Sequence, residues 1–94
     1  MTRVAFRYFA SLRESLGSTG EEAELEGGTV MDALDWLVAR YGDRLIPRIF
    51  DGRNRLRREF RVLHNGVVCA PARRSKEKVS DGDEIVIVPP VAGG

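Results

Sequence analysis

A strand of interior type sits at the end of this chain, and few folds can accommodate one there. Residues Glu84-Ile85-Val86-Ile87-Val88 form a β-branched run with turn chemistry before it and two prolines after it. Strands with one wet face alternate apolar and polar residues, whereas this run is apolar at nearly every position and suits the middle of a sheet. Asp81-Gly82-Asp83 sets its start, with Gly82 free to take positive φ and the aspartates able to bond nearby amides. Pro89-Pro90 sets its end. Neither proline can donate to a ladder and both fix φ near the polyproline value, so the chain leaves the sheet in extended, semi-rigid form.

What leaves is Val91-Ala92-Gly93-Gly94 with a free carboxylate. The six residues from Pro89 span roughly 20 Å when fully extended, enough to reach a buried site on another protein. Two glycines without Cβ permit unusual φ/ψ and passage through a channel too narrow for a side chain. A frayed terminus is the plain alternative, but a strand expelled from the sheet immediately before Gly-Gly favours a functional tail. The expected division is therefore a folded domain over 1–88 and an extended tail over 89–94.

Upstream, Arg3 to Phe9 alternates, placing Val4, Phe6 and Tyr8 in the core and Arg3, Ala5, Arg7 and Phe9 on the other face. Phe9 is a large aromatic on a charged face; it either folds under the next loop or forms the apolar centre of a partner contact. Ala10 to Leu16 reads as a short helix burying Leu12 and Leu16, with Gly17 as its C-terminal cap. Glu21 to Glu26 reads as a strand whose charges discourage edge pairing. The main helix opens at Thr29, with Asp32 completing an imperfect capping box. Val30, Ala33, Leu34, Leu37, Val38 and Tyr41 recur at helical spacing and Gly42 stops them. Trp36 falls off that stripe and packs at the helix flank. Leu45 to Phe50 suggests a second short helix, irregular at Pro47, and Asp51 to Asn54 is turn-like.

Asn65-Gly66 between two apolar runs is a strong hairpin signal, with His64 opposite Val67 and Leu63 opposite Val68. The order of elements is that of an α+β, β-grasp (ubiquitin-like) fold, a mixed sheet with one main helix across it. Parallel pairing of the first and last strands then puts the helix on the crossover between them. Parity along the last strand turns Ile85 and Ile87 to the helix and Glu84, Val86 and Val88 outward. That predicts an exposed apolar patch of Phe9, Val68, Val86 and Val88 beside the tail's exit. His64 reads as a partly buried strand residue, since no partner acid is identifiable, and Cys69 as a small packing residue.

A lone cysteine excludes an internal disulfide, and one cysteine with one histidine cannot build a structural zinc site; no metal is expected. No apolar run spans a membrane, and the cytoplasm is the expected setting. The net charge of +1 hides segregation: Glu14 to Asp43 carries eight acids against Arg40 alone, and Arg44 to Lys78 carries eleven bases against three acids. A dipolar surface of that kind steers protein partners. The arginines at 53, 55, 57, 58 and 61 lack interleaved aromatics other than Phe60, so nucleic acid is not an expected partner.

The segments Phe9-Ala10-Ser11-Leu12-Arg13-Glu14, Asn65-Gly66 and Asp81-Gly82-Asp83-Glu84 to Pro89-Pro90-Val91-Ala92-Gly93-Gly94 resemble, in order and spacing, the MoaD family of small ubiquitin-like sulfur carriers of molybdopterin synthase. Ala92 stands where serine or threonine is as readily expected, and the long stretch from Arg44 to Phe60 is closer to the archaeal-type branch. The resemblance implies a non-catalytic carrier with no bound cofactor. A partner adenylyltransferase of MoeB type, using ATP, would activate Gly94. A sulfur donor protein would convert Gly94 to a thiocarboxylate, and a MoaE-like large subunit would accept the tail for dithiolene formation on cyclic pyranopterin monophosphate. Gly93, Ala92 and Val91 would thread the channel. The same terminus would equally serve a ubiquitin-like protein modifier or a carrier for tRNA thiolation. ThiS-like use in thiamin synthesis fits less well because those chains are shorter, and a plain interaction module remains if Gly94 proves dispensable.

Overall fold

The computed structural model describes residues 1–90, save the side chains of Ala10, Ser11 and Ile46. In chain order the elements are β1 (Thr2–Arg7), α1 (Ala10–Leu16), β2 (Gly20–Leu25), α2 (Val30–Tyr41), α3 (Ile46–Ile49), β3 (Arg61–His64), β4 (Val67–Val68) and β5 (Asp83–Val88). The strands form one mixed sheet in the order β2-β1-β5-β3-β4. β5 lies at its centre, parallel to β1 and antiparallel to β3, as an apolar run of that kind requires. This is a β-grasp, ubiquitin-like fold.

Each boundary has a local cause. Gly82 takes φ +88°, Asp81 Oδ1 accepts the Arg3 amide at 2.8 Å and Asp83 Oδ2 accepts the Ser80 amide at 2.8 Å. The turn is thereby tied to the start of β1 before β5 begins. Asn65 and Gly66 both adopt positive φ, 51° and 82°, the primed turn whose twist matches a two-residue hairpin. Leu63 then pairs with Val68 and His64 with Val67, the register expected from the turn.

The capping box at the start of α2 is complete: Thr29 Oγ1 accepts the Asp32 amide at 3.2 Å, and Asp32 Oδ2 accepts the Thr29 amide at 3.0 Å. Pro47 lies in the first turn of α3, where a missing N–H breaks no helical bond. Ahead of it Gly42–Arg44 forms a 3-10 turn.

The core lies between the sheet and α2. Val4, Phe6 and Tyr8 from β1 and the residue after its end, Ala23 and Leu25 from β2, and Ile85 and Ile87 from β5 meet Val30, Ala33, Leu34 and Leu37. Val38 and Tyr41, at the end of the helical stripe, are only partly buried. Trp36 stacks on Phe6 with ring centroids 5.6 Å apart, so the flank residue closes the side of the core. Tyr8 donates to Glu21 Oε2 at 2.8 Å, and the Tyr41 hydroxyl donates to the same oxygen. Arg40 lies 3.4 Å from the other oxygen of that carboxylate, so one side chain of β2 ties β1 and α2 together.

Candidate functional site

β5 ends at Val88, and Pro89-Pro90 follows at the centre of the sheet rather than at its rim. The expected reacting residue Gly94 and the threading residues Gly93, Ala92 and Val91 lie outside the described residues. What can be read is the outer sheet face beside the end of β5.

The registers order that outer face into rows. One row runs Arg7, Val86, Leu63, Val68 across β1, β5, β3 and β4; the next contains Val88 beside Arg61. Extending the β1 register by two places brings Phe9 level with Val88, at the end of the sheet where the chain leaves. Phe9 is 47% exposed and Val68 is 54% exposed. The expected patch is corrected at its centre. Val86 is only 6% exposed, because it sits on the middle strand with Arg7 and Leu63 as its cross-strand neighbours on either side. Val88 is half-buried. Phe9 and Val68 are thus three strand spacings apart, about 14 Å, with buried and half-buried apolar residues between them rather than a continuous exposed surface. Val67, which the sequence pattern did not single out, is exposed at the same edge. β4 has only two residues and no outer neighbour, so both its valines reach solvent; the brevity of the run after Asn65-Gly66 is the signal that could have shown it.

At the end of β3 the structure overturns the expectation that His64 has no acid partner. Its Nδ1 lies 2.7 Å from Glu77 Oε2 and its Nε2 2.7 Å from Asp83 Oδ2. Burial pulls the imidazole down, but the bonds to Asp83 and Glu77 outweigh it and leave the pKa raised. The hydrogen bond to His64 in turn holds Asp83 down at about 2, and Glu77 is lowered for the same reason. Both nitrogens are engaged by carboxylates, so the arrangement is a charged clasp joining β3, β5 and the loop before β5. Cys69 is buried as expected, and burial raises its thiol pKa, which disfavours the reactive thiolate. Among the described residues no group of three His, Cys, Asp or Glu could hold a metal ion, and no helix is long and apolar enough to cross a membrane.

With the fold and its departing strand in place, the comparison with known families is decisive: the ThiS family matches over residues 6–94. The chain belongs to the ThiS family. Its members are ubiquitin-like sulfur carriers and modifiers, the group to which the terminal motif pointed. Small archaeal modifier protein 1 of Haloferax volcanii is 37% identical over 92 residues, covering 97% of this chain and all of that one. A crystal structure of that protein superposes with a TM-score of 0.81 at 34% identity, over 97% of this chain and all of the other. A Pyrococcus furiosus protein proposed as subunit 1 of a molybdopterin converting factor gives 0.71 at 26% identity, over 97% and 100% of the two chains. A chain of the BexX/CysO complex from Amycolatopsis orientalis gives 0.67 at 27% identity, over 97% and 99%. The long 44–60 segment fits within this archaeal-type likeness.

Proposed function

We propose that this ThiS-family chain is a ubiquitin-like carrier whose Gly94 carboxylate is activated by a partner adenylyltransferase and then transferred, with protein modification as its leading use. The single observation that supports this most is a central strand that stops at Val88 and is followed by Pro89-Pro90, neither of which can donate to a ladder. A carboxylate resists attack because it is a resonance-stabilised anion. Reaction with ATP gives an acyl adenylate and releases pyrophosphate; a lysine amine then forms an amide and releases AMP. If sulfide-level sulfur from a donor attacks the adenylate instead, AMP again leaves and the terminus becomes a thiocarboxylate. The chain contributes the acyl group and a docking face, and the partner contributes the catalysis.

Modification leads because the Haloferax volcanii relative, covered over its whole length, is named a modifier. The second reading is small subunit of molybdopterin synthase with a MoaE-like partner, favoured by likeness to the Pyrococcus furiosus protein. Docking in either case would use the outer face around Phe9 and Val68, with Val88 beneath. The BexX/CysO likeness supports a protein partner in general.

The test is purification of an N-terminally tagged chain from its native host under denaturing and native conditions. Covalent adducts to lysines of other proteins that vanish when Gly94 is deleted support modification. A stable native complex with a synthase-like large subunit, without adducts, supports the second reading. An unmodified, unpartnered chain in all conditions contradicts both.

A further inference from the structure

Beside the first turn of α2 lies a pocket of about 330 Å³, lined by none of the residues of the outer sheet face. Most of its wall is apolar, built from Met31 and Leu34 of the helix, Phe50 and Leu56 from the segment after α3, and Ala72 from the loop before β5, with Asn54 also on it. Into that wall the chain places Arg74, only 7% exposed, with a buried Nε that has no acceptor. Arg74 makes no ion pair among the described residues, although its neighbour Arg73 pairs with Glu77 at 3.5 Å. Burial lowers the Arg74 pKa, and the Cys69 thiol, itself pushed up by burial, is the one group that pulls it the other way. Arg55, also on the wall, is cationic and already lies 4.0 Å from Asp51.

A buried cation without a partner is costly, and proteins keep one mainly where something else supplies the missing charge. The backbone explains how this one is held: the Arg74 carbonyl accepts the Met31 amide at 2.8 Å, pinning the residue to an orphan N–H of the helix start. It does not explain why the side chain is arginine, since an apolar residue of similar length would fill the same wall.

We propose that this pocket binds a small organic carboxylate with an apolar body, its carboxylate on the Arg74 guanidinium and its body against Met31, Leu34, Phe50 and Leu56. The planar fork of a guanidinium matches a carboxylate with two parallel hydrogen bonds. A phosphate dianion is the poorer fit even with Asn54 and Arg55 also on the wall, because it has no apolar body to place against Met31, Leu34, Phe50 and Leu56. The volume sits at the small end of ligand pockets, which argues for a compact molecule. The inference is independent of what happens to Gly94.

The test uses the full chain, isotopically labelled, titrated with phenylacetate, phenylacetamide and inorganic phosphate while the signals of Met31, Leu34 and Ala72 are followed by NMR. Saturable shifts confined to those residues are expected with phenylacetate, with the amide and phosphate each at least about tenfold weaker, the scale of a lost charged hydrogen bond. Arg74→Met, which keeps length and removes charge, should bring phenylacetate down to the amide's level while leaving the melting temperature unchanged or higher. Equal affinity for the acid and its amide, phosphate binding as tightly as phenylacetate, or no saturable shift with phenylacetate each overturns the proposal. The acid and amide are compared on the unaltered chain, so that comparison does not depend on how the variant folds.

Discussion

At His64 both ring nitrogens face carboxylates, and stability should therefore depend on pH from two sides. The raised His64 pKa means that its contribution is full below about pH 6.5, its ordinary value, and is lost as pH rises through the higher folded value. The lowered Asp83 pKa works oppositely. Its contribution is full above about pH 3.9, its ordinary value, and is lost as pH falls toward about 2. Melting temperature measured against pH should thus be highest between those limits. His64→Gln should remove the decline on the alkaline side and cost about 1–3 kcal/mol at pH 6, because two partly buried carboxylates lose their common partner. A variant that melts like the wild type across this range would show the clasp to be idle. The clasp was not legible in the sequence because Glu77 and Asp83 stand thirteen and nineteen residues from His64 and meet it only once β3 pairs with β5. By contrast, the positive φ of Gly82 was legible, since the Asp-Gly-Asp turn carries its own local chemistry.

Among the elements, those whose signal is periodic or local could be read directly. The alternation of Val4, Phe6 and Tyr8, the Asn65-Gly66 turn and the Thr29 cap each specify backbone geometry within a few residues, and the structure follows them. Thr29→Ala should lower stability by about 1 kcal/mol, the usual loss for a capping side chain, as read by chemical denaturation. The outer sheet face is different. Parity tells which way Val86 points but not how far it is buried between its cross-strand neighbours Arg7 and Leu63, so exposure there had to come from the assembled sheet. The distinction yields opposite expectations for one substitution at two positions. Val68→Asp, on a short edge strand, should change stability by no more than about 0.5 kcal/mol while weakening the partner complex. Val86→Asp buries a charge at the sheet centre and should prevent stable folding, as circular dichroism at room temperature would show. Should Val68→Asp bind the partner as well as the unaltered chain, the docking face lies elsewhere.

For the molecule as a whole, the placement of a terminal strand at the centre of the sheet links fold to function. β5 runs parallel to β1, so its last residues emerge at the end of the sheet where β1 gives way to α1, level with Phe9. The proposal that the chemistry belongs to the final residues rests on a local pattern, a strand stopped by two prolines and followed by Gly-Gly. The acceptor was not legible, since on the proposed function a partner would choose it and not this chain. Gly94→Ala should leave the melting temperature unaltered, because the core is complete by Val88, yet slow activation or transfer by at least about tenfold, a barrier rise of about 1.4 kcal/mol. The most direct measurement is the mass of the terminal peptide from native cells. Lys78 is the last basic residue, so trypsin releases residues 79–94 as one piece. The account predicts that a fraction of this peptide carries sulfur in place of one terminal oxygen, or is joined through Gly94 to a lysine of another protein. A peptide that ends in an unaltered carboxylate under every growth condition would contradict it.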